Sequence, residues 1–203
     1  MNLLIDTDVF CKLAVSDLLH DAVRVLGAKL ESCFRLPALP HMLRRGRIRR
    51  RYGAEACDSM VRLAMTLPTI PQPGAEWLDA LAAVQEIDPG EALIFAAAAE
   101  SGGSVVSGDK RALESLKDLK DHQEALAGRI VVLEAVLLSL CHDLGADVVR
   151  QRVQPLETLD SVVRVCFSSQ ASEPEEGLLS YLEDLRGAVF PLTLWDPHAG
   201  GGR

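Results

Sequence analysis

The residues best suited to do chemistry in this chain are carboxylates that stand where apolar runs stop. Leu3-Leu4-Ile5 is a short run of strand formers, and Asp6 and Asp8 follow at its end. Ser104-Val105-Val106-Ser107 is a second such run, and it leads through Gly108 to Asp109. Between them, Asp88-Pro89-Gly90-Glu91 opens the apolar stretch 92–99. Taken singly, each acid is explained by helix capping. Asp6, Asp88 and Asp109 occupy N-cap positions, and Glu91 falls at the third helical position, where a capping-box carboxylate stands. Taken together they carry more. Each explanation puts a carboxylate at a helix N-terminus beside the C-terminal edge of a parallel sheet, the edge where open α/β sheets build sites. Carboxylates gathered there repel one another and raise one another's pKa. A divalent cation among them resolves the conflict, and an all-oxygen donor set suits Mg²⁺ or Mn²⁺. Such a cation lowers the pKa of bound water, holds a phosphodiester and stabilises the displaced oxygen.

A second chemical signal is basic. Arg44, Arg45, Arg47, Arg49, Arg50 and Arg51 fall within eight positions that contain no acid. A solvated helix face is the plain reading. The density favours a surface for phosphate oxygens, which arginine binds bidentately, and it points to a polyanion such as RNA or to an acidic partner segment. The whole chain argues the other way, since its formal net charge of -8 is unlike that of a general nucleic-acid binder. The patch is therefore a local feature of an acidic protein.

The elements that must position these groups read as alternating strands and helices. Helices are predicted over 9–15, 17–26 with Ser16 as cap, 54–67, 75–84, 88–100, 109–116 and 133–144. Short strands are predicted over 3–5, 34–36, 104–107 and 129–132. Alternation of this kind predicts an α/β fold with a central parallel sheet and helices on both sides, a three-layer α/β/α arrangement. Beyond residue 146 the pattern weakens. Residues 159–167 fit a strand or a helix, 172–176 read as a turn or helix start, and 178–189 form an amphipathic helix with Leu178, Leu179, Leu182 and Leu185 along one stripe. This predicts a domain over 1–146 and a mainly helical extension over 147–203, docked on that domain and ending in a loose tail at 199–203.

Composition bounds the rest. A chain of 203 residues with 48% hydrophobic and 25% charged residues supports a real core. Five scattered cysteines without a Cys-x-x-Cys pair read as buried thiols in a reducing compartment. Asp6 and Asp8 interrupt any signal-peptide core, and no apolar run is long enough to span a bilayer. A cytoplasmic protein is expected.

Three ordered segments resemble PIN-domain proteins, a family of metal-dependent ribonucleases that includes many toxins and RNA-processing nucleases. Leu4-Ile5-Asp6-Thr7-Asp8-Val9-Phe10 is similar to the family's opening strand and first acid. Gly90-Glu91-Ala92-Leu93-Ile94, running on to Gly102-Gly103, is similar to its acid-bearing helix. Val105-Val106-Ser107-Gly108-Asp109-Lys110 is similar to the strand that ends in a further acid. The resemblance covers residues 2–144. It implies that Asp6, Glu91 and Asp109 are catalytic acids that bind Mg²⁺ or Mn²⁺, that Asp8 is an accessory ligand and Asp88 a weaker one, and that Ser107 assists the last acid. It also implies RNA as substrate, with an antitoxin-like protein partner and a homodimer among the expected associations. One departure stands out. The family carries another acid after the second strand, whereas Pro37-Ala38-Leu39-Pro40-His41-Met42-Leu43 has none, with His41 the one residue there that could replace it. A ribonuclease is the first expectation. A catalytically weak or inactive relative that binds RNA or an acidic protein through the arginines is the second.

Overall fold

The strands are short and mainly apolar, which suits burial on both faces. In a computed structural model describing residues 1–168 and 173–197, they form a four-stranded, all-parallel sheet flanked by helices, a three-layer α/β/α arrangement. The expected tail at 199–203 and the Ser172 end of the expected turn lie outside the described residues.

The chain runs β1 (Leu3–Ile5), α1 (Thr7–Val15), α2 (Leu19–Val25), β2 (Cys33–Arg35), α3 (Leu39–Arg44), α4 (Gly46–Tyr52), α5 (Ala54–Ala64) and α6 (Ala75–Ala82). It continues with α7 (Pro89–Ser101), β3 (Ser104–Ser107), α8 (Lys110–Leu116), α9 (Lys120–Leu126), β4 (Ile130–Val132) and α10 (Leu133–Leu144). The last helices are α11 (Ala146–Val153), α12 (Ser161–Cys166) and α13 (Pro174–Val189).

Strand order is β2-β1-β3-β4. In register, Leu4 pairs with Phe34 on one side and Val105 on the other, and Val106 pairs with Val131. The chain leaves β1 for β2 on one flank and later returns to β3 on the other. The connection therefore reverses direction between β1 and β3, and the crevice at the C-terminal ends of those two strands is where such sheets place ligands. Gly102 and Gly103 make the return to β3 possible. Gly102 ends α7 in the left-handed region at φ 68°, and a Cβ on Gly103 would lie 2.6 Å from Leu4 Cδ1.

Both edges of the sheet are continued by single parallel bridges. On the β2 side Arg35 bridges to Thr69, and on the β4 side Ile130 bridges to Leu194, with Trp195 N–H donating to Ile130 O at 2.8 Å. The edges are thus paired rather than bare. Buried side chains of α11, α12 and α13, among them Val149, Val163, Leu178, Leu182 and Val189, belong to the same apolar cluster as the sheet. Helix α13 docks on α10, within the chain, as expected.

Several local expectations are corrected. The helix expected over 17–26 is α2, beginning at Leu19. Asp17 takes φ 51°, and Ser16 is buried with its hydroxyl unpartnered instead of capping. The basic stretch is broken at Gly46, whose φ of 71° separates α3 from α4. The ambiguous stretch 159–167 contains helix α12, α11 adds to the mainly helical extension, and α9 is an additional helix between α8 and β4. All five cysteines are free and buried. Among the described residues no helix is long and apolar enough to cross a membrane.

Candidate functional site

The three principal acids arrive at one place because the three elements that carry them end or begin at one sheet edge. Asp6 is the first residue after β1. Its backbone N–H donates to Val106 O at 2.9 Å, fastening the end of β1 to β3, and its carboxylate caps α1 by accepting from Asp8 N–H at 3.2 Å. Asp109 follows β3 and caps α8, accepting from Arg111 N–H at 2.9 Å and Ala112 N–H at 3.3 Å. Glu91 is in the first turn of α7. Asp88 accepts from Gly90 N–H (2.7 Å) and Glu91 N–H (2.9 Å), while Glu91 accepts from Asp88 N–H (2.8 Å), so the capping box is complete.

Capping and site formation are therefore compatible, since the same side chains line one cleft of about 450 Å³. Its acidic part is Asp6, Asp8, Asp88, Glu91 and Asp109, and Arg47, Arg51 and Arg111 also line it, together with Tyr52, Thr7 and Met42. Ser107 is buried behind Asp109, with its hydroxyl accepting from Asp109 N–H at 3.4 Å. His41 is exposed and is not among the residues lining the cleft, whereas its neighbour Met42 is.

The acids are not electrostatically alike. Burial pushes Asp6 up to about 6, against two backbone N–H donors, and the charges of Asp8 and Asp88 add to the rise. Burial likewise pushes Glu91 up to about 7, with Asp88, Asp109 and Asp6 contributing repulsion. Neither Asp6 nor Glu91 forms an ion pair among the described residues, although Arg47, Arg51 and Arg111 line the same cleft. Asp109 differs. Burial would raise it, but the Arg111 guanidinium at 3.3 Å and the two amides of α8 outweigh that and hold it below the usual carboxylate range. Asp8 is engaged by two cations, Lys12 at 2.6 Å and Arg51 at 3.4 Å.

Lys12 is itself nearly buried and also reaches Asp160, the N-cap of α12, at 2.6 Å. Arg51 donates in addition to the carbonyl of Leu159. This network joins the C-terminal segment to the wall of the cleft. The Asp8–Lys12 spacing of four within a helix could have suggested its first half; nothing local points to Asp160.

The arginine patch divides. Arg47 and Arg51 line the cleft. Arg49 is paired with Asp58 at 2.7 Å, outside it. Arg44, Arg45 and Arg50 are exposed and have no hydrogen-bond or ion-pair partner among the described residues. Arg111, two residues beyond Asp109, is a further cleft cation that the arginine-run signal does not reveal.

The donor set has the chemistry for a hard divalent cation. It is carboxylate only, and Asp6 and Glu91 are both raised, chiefly by burial and further by neighbouring carboxylates, Asp8 and Asp88 for Asp6 and Asp88, Asp109 and Asp6 for Glu91. The side chains are not drawn into a closed cage, and among the described residues no group of three or more His, Cys, Asp or Glu stands ready to hold a metal ion. No family model, no curated protein and no solved structure matches the chain.

Proposed function

We propose that the chain is a PIN-type ribonuclease that hydrolyses RNA phosphodiester bonds with Mg²⁺ or Mn²⁺. The observation that supports this reading most is the meeting of Asp6, Glu91 and Asp109 in one cleft whose lining also includes Arg47, Arg51 and Arg111. Acids gathered beside guanidinium groups suit a substrate with a non-bridging phosphate oxygen on one side and a reacting centre on the other. Asp6, Glu91 and Asp109 would hold the ion, which when bound supplies an activated water and offsets charge on the displaced oxygen. Arg47 binds a phosphate oxygen next to the reacting group. Arg111 exchanges its contact with Asp109 for the substrate phosphate, which frees that carboxylate. Asp8 serves mainly as an anchor for Lys12 and Arg51, and Ser107 steadies the turn that presents Asp109.

The test is incubation of the purified protein with a mixed single-stranded RNA pool in Mn²⁺, Mg²⁺ or EDTA, beside Asp6→Asn and Asp109→Asn. Cleavage that needs the metal and falls at least about a hundredfold in each variant is expected. A second reading is an RNA- or acidic-partner-binding protein without catalysis. It is favoured by the ion pairs that occupy Asp8 and Asp109 and by the open arrangement of the acids. Salt-sensitive binding by a folded wild type, with no cleavage under either metal, would establish it instead.

A further inference from the structure

Beside the acid cleft lies a second, apolar groove of about 450 Å³. Its apolar lining is Leu36, Pro37, Ala38, Met42, Pro89 and Leu93. It is continuous with the cleft, since Asp6, Thr7, Met42 and Asp88 line both. Gly90 helps keep it open. A Cβ there would lie 3.0 Å from Leu36 Cδ1 and 3.1 Å from Asp88 Oδ1.

Polar groups at the shared rim have capacity left, and Thr7 Oγ1 has no hydrogen-bond partner among the described residues. Asp88 Oδ1 accepts both amides of the α7 cap, while Oδ2 has no hydrogen-bond partner among the described residues. An apolar groove next to the proposed phosphate-binding cleft, edged by carboxylate oxygen that includes the free Oδ2 of Asp88, matches an unstacked nucleobase that presents an exocyclic amino group. Apolar side chains take its faces, and the carboxylate accepts from its edge.

Resting on the ribonuclease reading, we propose that this groove is the base pocket flanking the scissile phosphate and that Asp88 selects adenine or cytosine over uracil there. The N6 or N4 amino group donates to Asp88 Oδ2. Uracil would bring its O4 carbonyl against the same oxygen, leaving two acceptors facing each other.

The experiment is to cut a randomised single-stranded RNA pool with the full chain in Mn²⁺ and sequence the ends. Wild type is expected to show uridine depleted about tenfold at one position beside the cut. Two variants retain a competent N-cap and so keep α7 intact. Asp88→Ser removes the second oxygen and should flatten the bias. Asp88→Asn turns it into an N–H donor and should favour uridine. Because the readout is a ratio between bases at one position, any general loss of rate cancels. Cuts with no uridine bias, or a bias unchanged in Asp88→Asn, would overturn the base pocket and leave the nuclease standing. No cut by the folded wild type would remove the nuclease reading and the pocket with it.

Discussion

At the scale of single residues, Asp6 and Glu91 bear the strain of the site, and the sign of their pKa displacement makes it measurable. Asp6 is raised to about 6 from an ordinary value of 3.8, chiefly by burial. Between roughly pH 4 and pH 6 the unfolded chain has already released this proton while the folded chain retains it. The contribution of Asp6 to the stability of the metal-free protein therefore falls as pH rises through that window and stays low above it. Two pH units correspond to about 3 kcal/mol. Asp6→Asn keeps the α1 cap but carries no charge, so in EDTA it should exceed wild type by about 2–3 kcal/mol at pH 8 and match it at pH 4. Urea unfolding at the two pH values decides this, because the other titrating groups are common to both proteins. Equal differences at both pH values would mean that the charge of Asp6 is not what is penalised. Asp6, Asp88, Glu91 and Asp109 were all legible in the sequence, since capping rules place them. Tyr52 was not, because its approach to the acids is made by folding and leaves no spacing signature; Arg111 stands only two residues beyond Asp109, outside the arginine run.

At the scale of elements, α4 carries the clearest division of labour. Ile48 and Tyr52, four residues apart, are both partly buried and pack against the core, while the arginines between and around them take different fates. Arg51 is tied to Asp8 and to the Leu159 carbonyl, and Arg49 to Asp58. Arg44, Arg45, Arg47 and Arg50 remain for an anion. Replacing these four by alanine should weaken binding to single-stranded RNA and lower the slope of log affinity against log salt by up to about 3. Fluorescence anisotropy across a salt series reads both quantities. An unchanged slope would assign the patch to structure alone. The run of arginines is plain in the sequence, and Gly46, at φ 71°, divides it between α3 and α4. The start of α2 was less legible. Ser16 looked like a cap, but the turn through Asp17 buries it.

At the scale of the whole molecule, the C-terminal segment is part of the same core as the sheet and is tied to the cleft. Leu178, Leu182, Leu185 and Val189 of α13 are buried, and α13 docks on α10. Lys12 bridges Asp160 to Asp8, linking α12 to the helix that begins at Asp6. Leu182→Ala should cost about 2–5 kcal/mol, with urea unfolding still a single transition by far-ultraviolet circular dichroism and by tryptophan fluorescence. Two separate transitions would mean that residues 147–203 fold on their own. Both edge bridges, at Thr69 and Leu194, belong to this scale as well. Single-residue pairings have no periodicity to announce them.

The sequence by itself determined the parallel α/β layout, the strands that lead to Asp6 and Asp109, and the capping role of Asp6, Asp88, Glu91 and Asp109, because these depend on local apolar runs and on chemistry within a few residues. The tertiary structure alone decided which carboxyls are buried without a cation, which arginines are already spoken for, and that an apolar groove opens beside Asp88. These depend on how elements meet, in cases such as Arg51 with Asp8 or Leu36 beside Gly90 across tens of positions, and those meetings are set by packing around one shared core.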